Sequence, residues 1–179
     1  MGVKVNLTLP ASVWEVQDTK RVALNTVATV KRRTASGISS SGTPFKEYST
    51  KPLYVAYKGA RLKPKGGRVS RTGKSVYYAG GYEQYKHESR KRSKTNQDVG
   101  GRTQSAEVDL VLSGQLMNNL VVLEASLTRF KIGLTKHVRH YGYFVHEKRP
   151  YIGLTDDEIN ILVDAVAYDI SQKLRGRKI

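Results

Sequence analysis

The stretch "LTDDEINILVDAVAYDISQKLRG", residues 154–176, constrains this chain most. Thr155 and Glu158 have the spacing of a capping box, and Asp156 and Asp157 suit the positive end of a helix dipole. Ile159, Leu162, Val163, Val166, Ile170 and Leu174 then recur at helical intervals, so a long amphipathic helix is predicted, stopped by Gly176. An apolar stripe of this length needs a second layer to cover it. A second long helix is predicted near the start. Ser12 and Glu15 have capping-box spacing after Pro10, and Val16, Ala23, Val27 and Val30 carry the helix to about Arg33.

Between the helices the pattern changes to period two. In "LVVLEASLTRFKIGLT", Phe130, Ile132 and Leu134 fall on one face and Arg129 and Lys131 on the other, which predicts a β-hairpin. "LYVAYKGARLK" and "SVYYAGGYEQYK" have strand composition, the second followed by a turn, and the Pro- and Gly-rich "KPKGGRVSRTGKS" between them reads as a hairpin tip or arm. "TASGISSSGTPFKEYST" reads as a loop anchored by Phe45 and Tyr48. "AEVDLVLS" predicts a strand leading into a short helix capped by Ser113, with Leu116, Met117 and Leu120 inward. "KHVRHYGYFVHEK" predicts a helix despite Gly142 in its middle. The expected fold is α+β: one domain over 1–179, a small, mostly antiparallel sheet packed with two longer helices, and a basic loop or hairpin arm over 58–104.

Charge is segregated along the chain. Residues 46–103 hold 15 Lys and Arg against 4 Asp and Glu, +11 of a total of +16, a field that favours a polyanion or an acidic protein surface. With no cysteine, disulfides and thiolate metal sites are excluded, and synthesis in a reducing cytosol is expected. No stretch approaches the roughly 20 apolar residues of a membrane span, so a soluble protein with no membrane partner is expected.

Catalytic motifs find little support. Gly73, Lys74 and Ser75 match the end of a phosphate-binding loop, but the position needing its first glycine holds Arg68, with Gly67 one residue too early. His137, His140 and His146 do not converge on one helix face, so no metal site is expected. Asp156, Asp157 and Glu158 are explained by helix capping, and Asp109, between apolar neighbours, is expected to accept structural hydrogen bonds. No nucleophile motif appears, and neither catalysis nor a cofactor is expected. Seven of the eleven tyrosines lie between 48 and 85, interleaved with Lys and Gly. Core or interface packing explains them more simply than base stacking, because no RNA-reading motif accompanies them.

The order of several short pieces carries a resemblance. An N-terminal helix precedes "RTASGISSSGTPFKEYS", "GGYEQYK", "VDLVLSGQLMNNL", a hairpin ending "KIGL", and "HVRHYGYFVHEKRPYIGLTDDE". Together, over about 13–174, they resemble the neck, head–tail joining and tail-completion proteins of long-tailed bacteriophages. Val108, Asp109, Leu110, Ser113, Gly114, Leu116 and Met117 match the family's strand-to-helix piece, and Arg149, Gly153 and Thr155 its closing loop and helix start. The basic stretch from Lys58 to Arg102 is longer than such proteins lead one to expect.

The resemblance implies a non-catalytic virion subunit, made in the host cytoplasm and assembled as a ring of six or twelve between the portal-side connector and the tail tube. DNA would pass through the opening. On this reading Tyr77, Tyr78, Tyr82, Tyr85, Arg90, Lys91 and Arg92 are expected to contact other subunits. Lys63, Lys65, Arg68, Arg71 and Lys74 are expected to face DNA or an acidic partner, without sequence preference. The alternative is a freestanding basic nucleic-acid-binding protein using the same residues.

Overall fold

A computed structural model describes residues 2–6, 13–60, 63–90, 108–110 and 114–176. Along these residues run β1 (Gly2–Asn6), α1 (Val16–Ala35), β2 (Leu53–Ala56), β3 (Arg68–Val69), β4 (Ser75–Tyr78) and α2 (Gly81–Arg90). They are followed by α3 (Gln115–Asn118), β5 (Leu120–Ala125), β6 (Arg129–Leu134), α4 (Lys136–Lys148) and α5 (Asp156–Gly176). The fold is α+β, with two antiparallel three-stranded sheets among the described residues. The chain divides into two compact units, Met1–Phe45 with Leu116–Ile179, and Lys46–Gln115.

In the first unit the sheet order is β1-β6-β5. The predicted hairpin forms β5 and β6, with Phe130, Ile132 and Leu134 almost fully buried. β1, which has no sequence prediction, pairs with β6 from Gly2↔Gly133 to Asn6↔Arg129. α1 packs on β5 and β6 through Val22, Ala23, Val27 and Val30; Ala23, Val27 and Val30 belong to the expected stripe, whereas Val16, also expected in it, is exposed at the first turn and Val22 takes part instead. Its start lies later than predicted: the capping box is Glu15 with Asp18, and Ser12 falls outside the described residues. Asp18 wins because its carboxylate, buried, accepts from the Glu15 N–H at 2.9 Å and also pairs with Lys173 and Arg21. Trp14 anchors the same end, donating to Thr19 Oγ1 at 2.9 Å, while Thr19 Oγ1 donates to the Leu127 carbonyl in the β5–β6 turn at 2.8 Å.

α4 forms as predicted, and Gly142 proves necessary to it. A Cβ there would lie 1.9 Å from Leu134 Cδ1, so only a glycine lets the helix seat on β6. α5 carries the predicted capping box, Thr155 N donating to Glu158 Oε2 at 2.9 Å and Glu158 N to Thr155 Oγ1 at 3.2 Å. Arg33, buried near the end of α1, pairs with Glu158 and donates to the carbonyls of Tyr151 and Gly153 at 2.7 and 3.0 Å. One guanidinium thus ties α1 to the turn that starts α5.

The second unit has its own sheet, β2-β4-β3, and its own core. Where the sequence predicts a basic arm over 58–104, the described residues hold a hairpin and a helix. Val76, Tyr78 and Tyr85 are buried together, with Leu53, Val55 and Tyr82 packed around them, which is enough apolar surface to order a charged segment. The turn expected after Tyr78 continues into α2. Gly81 makes this possible: its φ of 68° and the carbonyls of Lys51 and Ser49, 2.4 and 2.5 Å from a would-be Cβ, admit no side chain. Residues 108–110, predicted as part of a strand, lie outside regular structure, with Leu110 at φ 51°.

Candidate functional site

The alternation along β4 sorts the tyrosines. Val76 and Tyr78 point into the core toward Tyr85, so Ser75 and Tyr77 stand on the opposite face. Register then builds a row on that face. Tyr77 is paired with Tyr54 on β2 and with Arg68 on β3, and the Tyr54 and Tyr77 rings lie 4.9 Å apart at 46°. Tyr54 is 66% exposed. Arg68 and the cations of the β3–β4 turn, Arg71 and Lys74, are exposed, as are Lys58, Lys63 and Lys65. Residues 51–80 hold eight Lys and Arg and no Asp or Glu, so the strands and turns themselves carry charge of one sign.

The residues expected at a partner surface divide accordingly. Tyr78 and Tyr85 belong to the core, their rings 5.4 Å apart, and they present no surface in this unit. The Tyr78 hydroxyl also donates to the Lys65 carbonyl at 2.7 Å, a structural task. Tyr82 is half-buried between Tyr48 and Tyr85, at 5.2 and 5.9 Å. Tyr77 alone of the four reaches the open face, where Tyr54, which sequence reasoning passed over, joins it. The signal was present in the alternation of "LYVA", but it needs the pairing partner to say which face is covered. Arg90 ends α2, its side chain outside the described residues, as are Lys91 and Arg92 altogether.

Beneath this surface lies a buried ion pair. Lys86, on α2, pairs with Asp109, donates to the Tyr48 hydroxyl at 2.8 Å and sits 4.4 Å from the Tyr48 ring centroid. Asp109 thus accepts a structural hydrogen bond, as expected of it, and the donor is a charged group. Such a pair is costly to break from one side and fixes the 108–110 segment against α2.

His146 and His140 have structural neighbours. His146 Nδ1 accepts from the N–H groups of Tyr151 and Ile152 at 3.3 Å each, and burial holds its imidazole below the usual histidine range. His140 stacks edge-on against Phe144, 4.8 Å away. Among the described residues no group of three or more His, Asp or Glu is arranged to hold a metal ion. Gly73 and Lys74 lie in the β3–β4 turn and Ser75 opens β4, with Gly73 N bonded to the Ser70 carbonyl at 2.9 Å; a phosphate-binding loop would instead lead into a helix.

Comparison with protein-family models, with curated proteins and with solved structures gave no match.

The first unit offers a different surface. Apolar residues occur around most of α5, yet Val166 is the only residue of that helix that is buried. Ile161 is 68% exposed and Val163 58%, with Ile159, Tyr168 and Leu174 exposed as well. The predicted stripe is covered only along Leu162, Val166 and Ile170; the flanks of the helix face solvent. A groove of about 370 Å³ runs between α1 and α5, lined by Val22, Thr26, Ile38, Leu154, Ile161 and Leu162 among others. No helix among the described residues is long and apolar enough to cross a membrane.

Proposed function

We propose that this protein is a structural subunit of a bacteriophage neck, acting without catalysis as a tail-completion or head–tail connector component. It assembles as a ring of six or twelve between the portal-side connector and the tail tube, with DNA passing through the opening. The observation that carries the reading is α5: its apolar residues extend beyond the face the first unit covers, leaving Ile159, Ile161, Val163, Tyr168 and Leu174 exposed in the single chain. Burial against a second copy is the simplest way to cover Ile161 and Val163, and a closed ring covers every copy equally. The order of sequence pieces from the first helix to "RPYIGLTDDE" supports the same assignment. The cationic second unit suits a place beside a polyanion or an acidic neighbour.

The test is assembly. The purified chain is examined by light scattering and negative-stain microscopy, alone and with isolated connector and tail-tube particles. Closed rings, or capping of either particle, are expected. The Ile161→Glu/Val163→Glu variant should stay monomeric with an unchanged circular dichroism spectrum, because both side chains are exposed in the single chain. A wild-type chain that remains a monomer at every concentration and joins neither particle overturns the proposal.

A further inference from the structure

Four of the tyrosines between 48 and 85 are used by packing: Tyr78 and Tyr85 fill the core, and Tyr48 and Tyr82 lie against it or against Lys86. Of the other three, Tyr54 and Tyr77 stand side by side on the sheet face turned away from that core, where burial does not reward them. A planar guanidinium, Arg68, completes their cross-strand row, and the strands and turns around it carry positive charge alone.

We propose that this open face of the β2-β4-β3 sheet binds a single-stranded polynucleotide, with bases stacking on Tyr54 and Tyr77. Three features argue for this occupant. Exposed aromatic rings on a sheet offer π-faces to unpaired bases, which a duplex keeps stacked within itself. Arg68 can stack on a base or hold a phosphate from the same row. Arg71, Lys74 and Lys58, with no carboxylate anywhere in residues 51–80, match the charge of a phosphate backbone along its length. An acidic protein would also satisfy the charge, and tyrosines suit protein interfaces, so competition by an acidic polypeptide is the arm of the test that separates the two occupants. The tyrosine row belongs to the second unit and is independent of the α5 surface, so the proposal does not rest on ring assembly.

Fluorescence anisotropy of the full chain tests it, with labelled oligo-dT and oligo-U of about ten nucleotides, an abasic strand of equal length and a duplex as probes. The base-bearing strands should bind more tightly than the abasic strand and the duplex, and whichever of dT and U binds better identifies the natural source. Tyr54→Ala should weaken binding of the base-bearing strand about tenfold or more and leave the abasic strand unaffected, while Tyr54→Phe should retain affinity. Arg71→Ala and Lys74→Ala should weaken both strands alike and lower the salt slope by about 0.7 each. Tyr54 is exposed, so its variants should fold, which thermal unfolding verifies. Equal affinity for the abasic strand, preference for the duplex, indifference to Tyr54→Ala, or equal competition by polyglutamate overturns the proposal. Rings that bind no strand would sink this inference and leave the neck reading standing; a strand-binding monomer would do the reverse.

Discussion

Replacing Gly142 by alanine sets two effects of opposite sign against each other. In an exposed helix the change would stabilise by about 1 kcal/mol, because glycine is a poor helix former. In α4 the new methyl would lie 1.9 Å from Leu134 Cδ1, 3.2 Å from Leu116 Cδ1 and 3.0 Å from the Tyr151 hydroxyl. None of these groups can swing into solvent: Leu134 is 1% exposed, Leu116 4% and Tyr151 0%. Overpacking of this kind costs about 1–3 kcal/mol. Moving Tyr151 aside also gives up its hydroxyl bond to the Gly142 carbonyl, at 3.4 Å. Strain and the broken bond together outweigh the gain in helix propensity, and we expect Gly142→Ala to destabilise the first unit by about 1–2 kcal/mol net. Urea unfolding followed by tryptophan fluorescence reads this unit directly, because the single tryptophan, Trp14, is buried in it. Leu134→Val removes the atom that the methyl meets, so the double variant should be more stable than the two single changes added together. A Gly142→Ala protein as stable as the wild type would refute the seating of α4 on β6.

Lys86→Met should destabilise the second unit by up to about 3–5 kcal/mol, since it removes one side of the buried pair with Asp109, and Lys86→Met/Asp109→Leu should recover much of the loss. Near-ultraviolet dichroism of the tyrosines, most of which lie in that unit, measures it; equal losses in the single and double variants would contradict the pairing. Asp18 gives a pH-dependent case. Burial alone would raise its carboxyl, but hydrogen bonds from Lys173 and the Glu15 N–H, with the Lys173 and Arg21 charges, bring it below the ordinary 3.8. The folded state therefore binds this proton less readily than the unfolded chain. The resulting stability is complete above 3.8 and is lost as pH falls through the lower folded value. Asp18→Asn should accordingly cost stability at neutral pH and nothing in strong acid, by the same fluorescence assay. His146, held by burial below 6.5, should make the first unit less stable as pH drops under that value, and His146→Asn, which keeps an acceptor for the Tyr151 N–H, should flatten the slope.

What local chemistry dictates could be read directly from the chain. The Thr155–Glu158 capping box and the Phe130-Ile132-Leu134 alternation depend on neighbours within a few residues, and each formed where the pattern placed it; of the α1 stripe Ala23, Val27 and Val30 did, while Val16 at its start did not. The 58–104 segment was harder, because charge and glycine argue against packing while Val76, Tyr78 and Tyr85 argue for it; three residues spread over ten positions outweigh the rest only once they meet. β1 is not among the predicted elements, and it is a strand because β6 offers it a partner.

The sequence by itself determined the fold class, the two long helices and the concentration of positive charge, because periodicity and composition are properties of the chain alone. Tertiary structure decided which face of each element is covered. Tyr78 and Tyr54 are indistinguishable as letters in strands. Pairing and packing bury the first and leave the second open to solvent, since the core lies on only one side of the sheet. The same holds for α5, whose apolar residues exceed what α1 can cover.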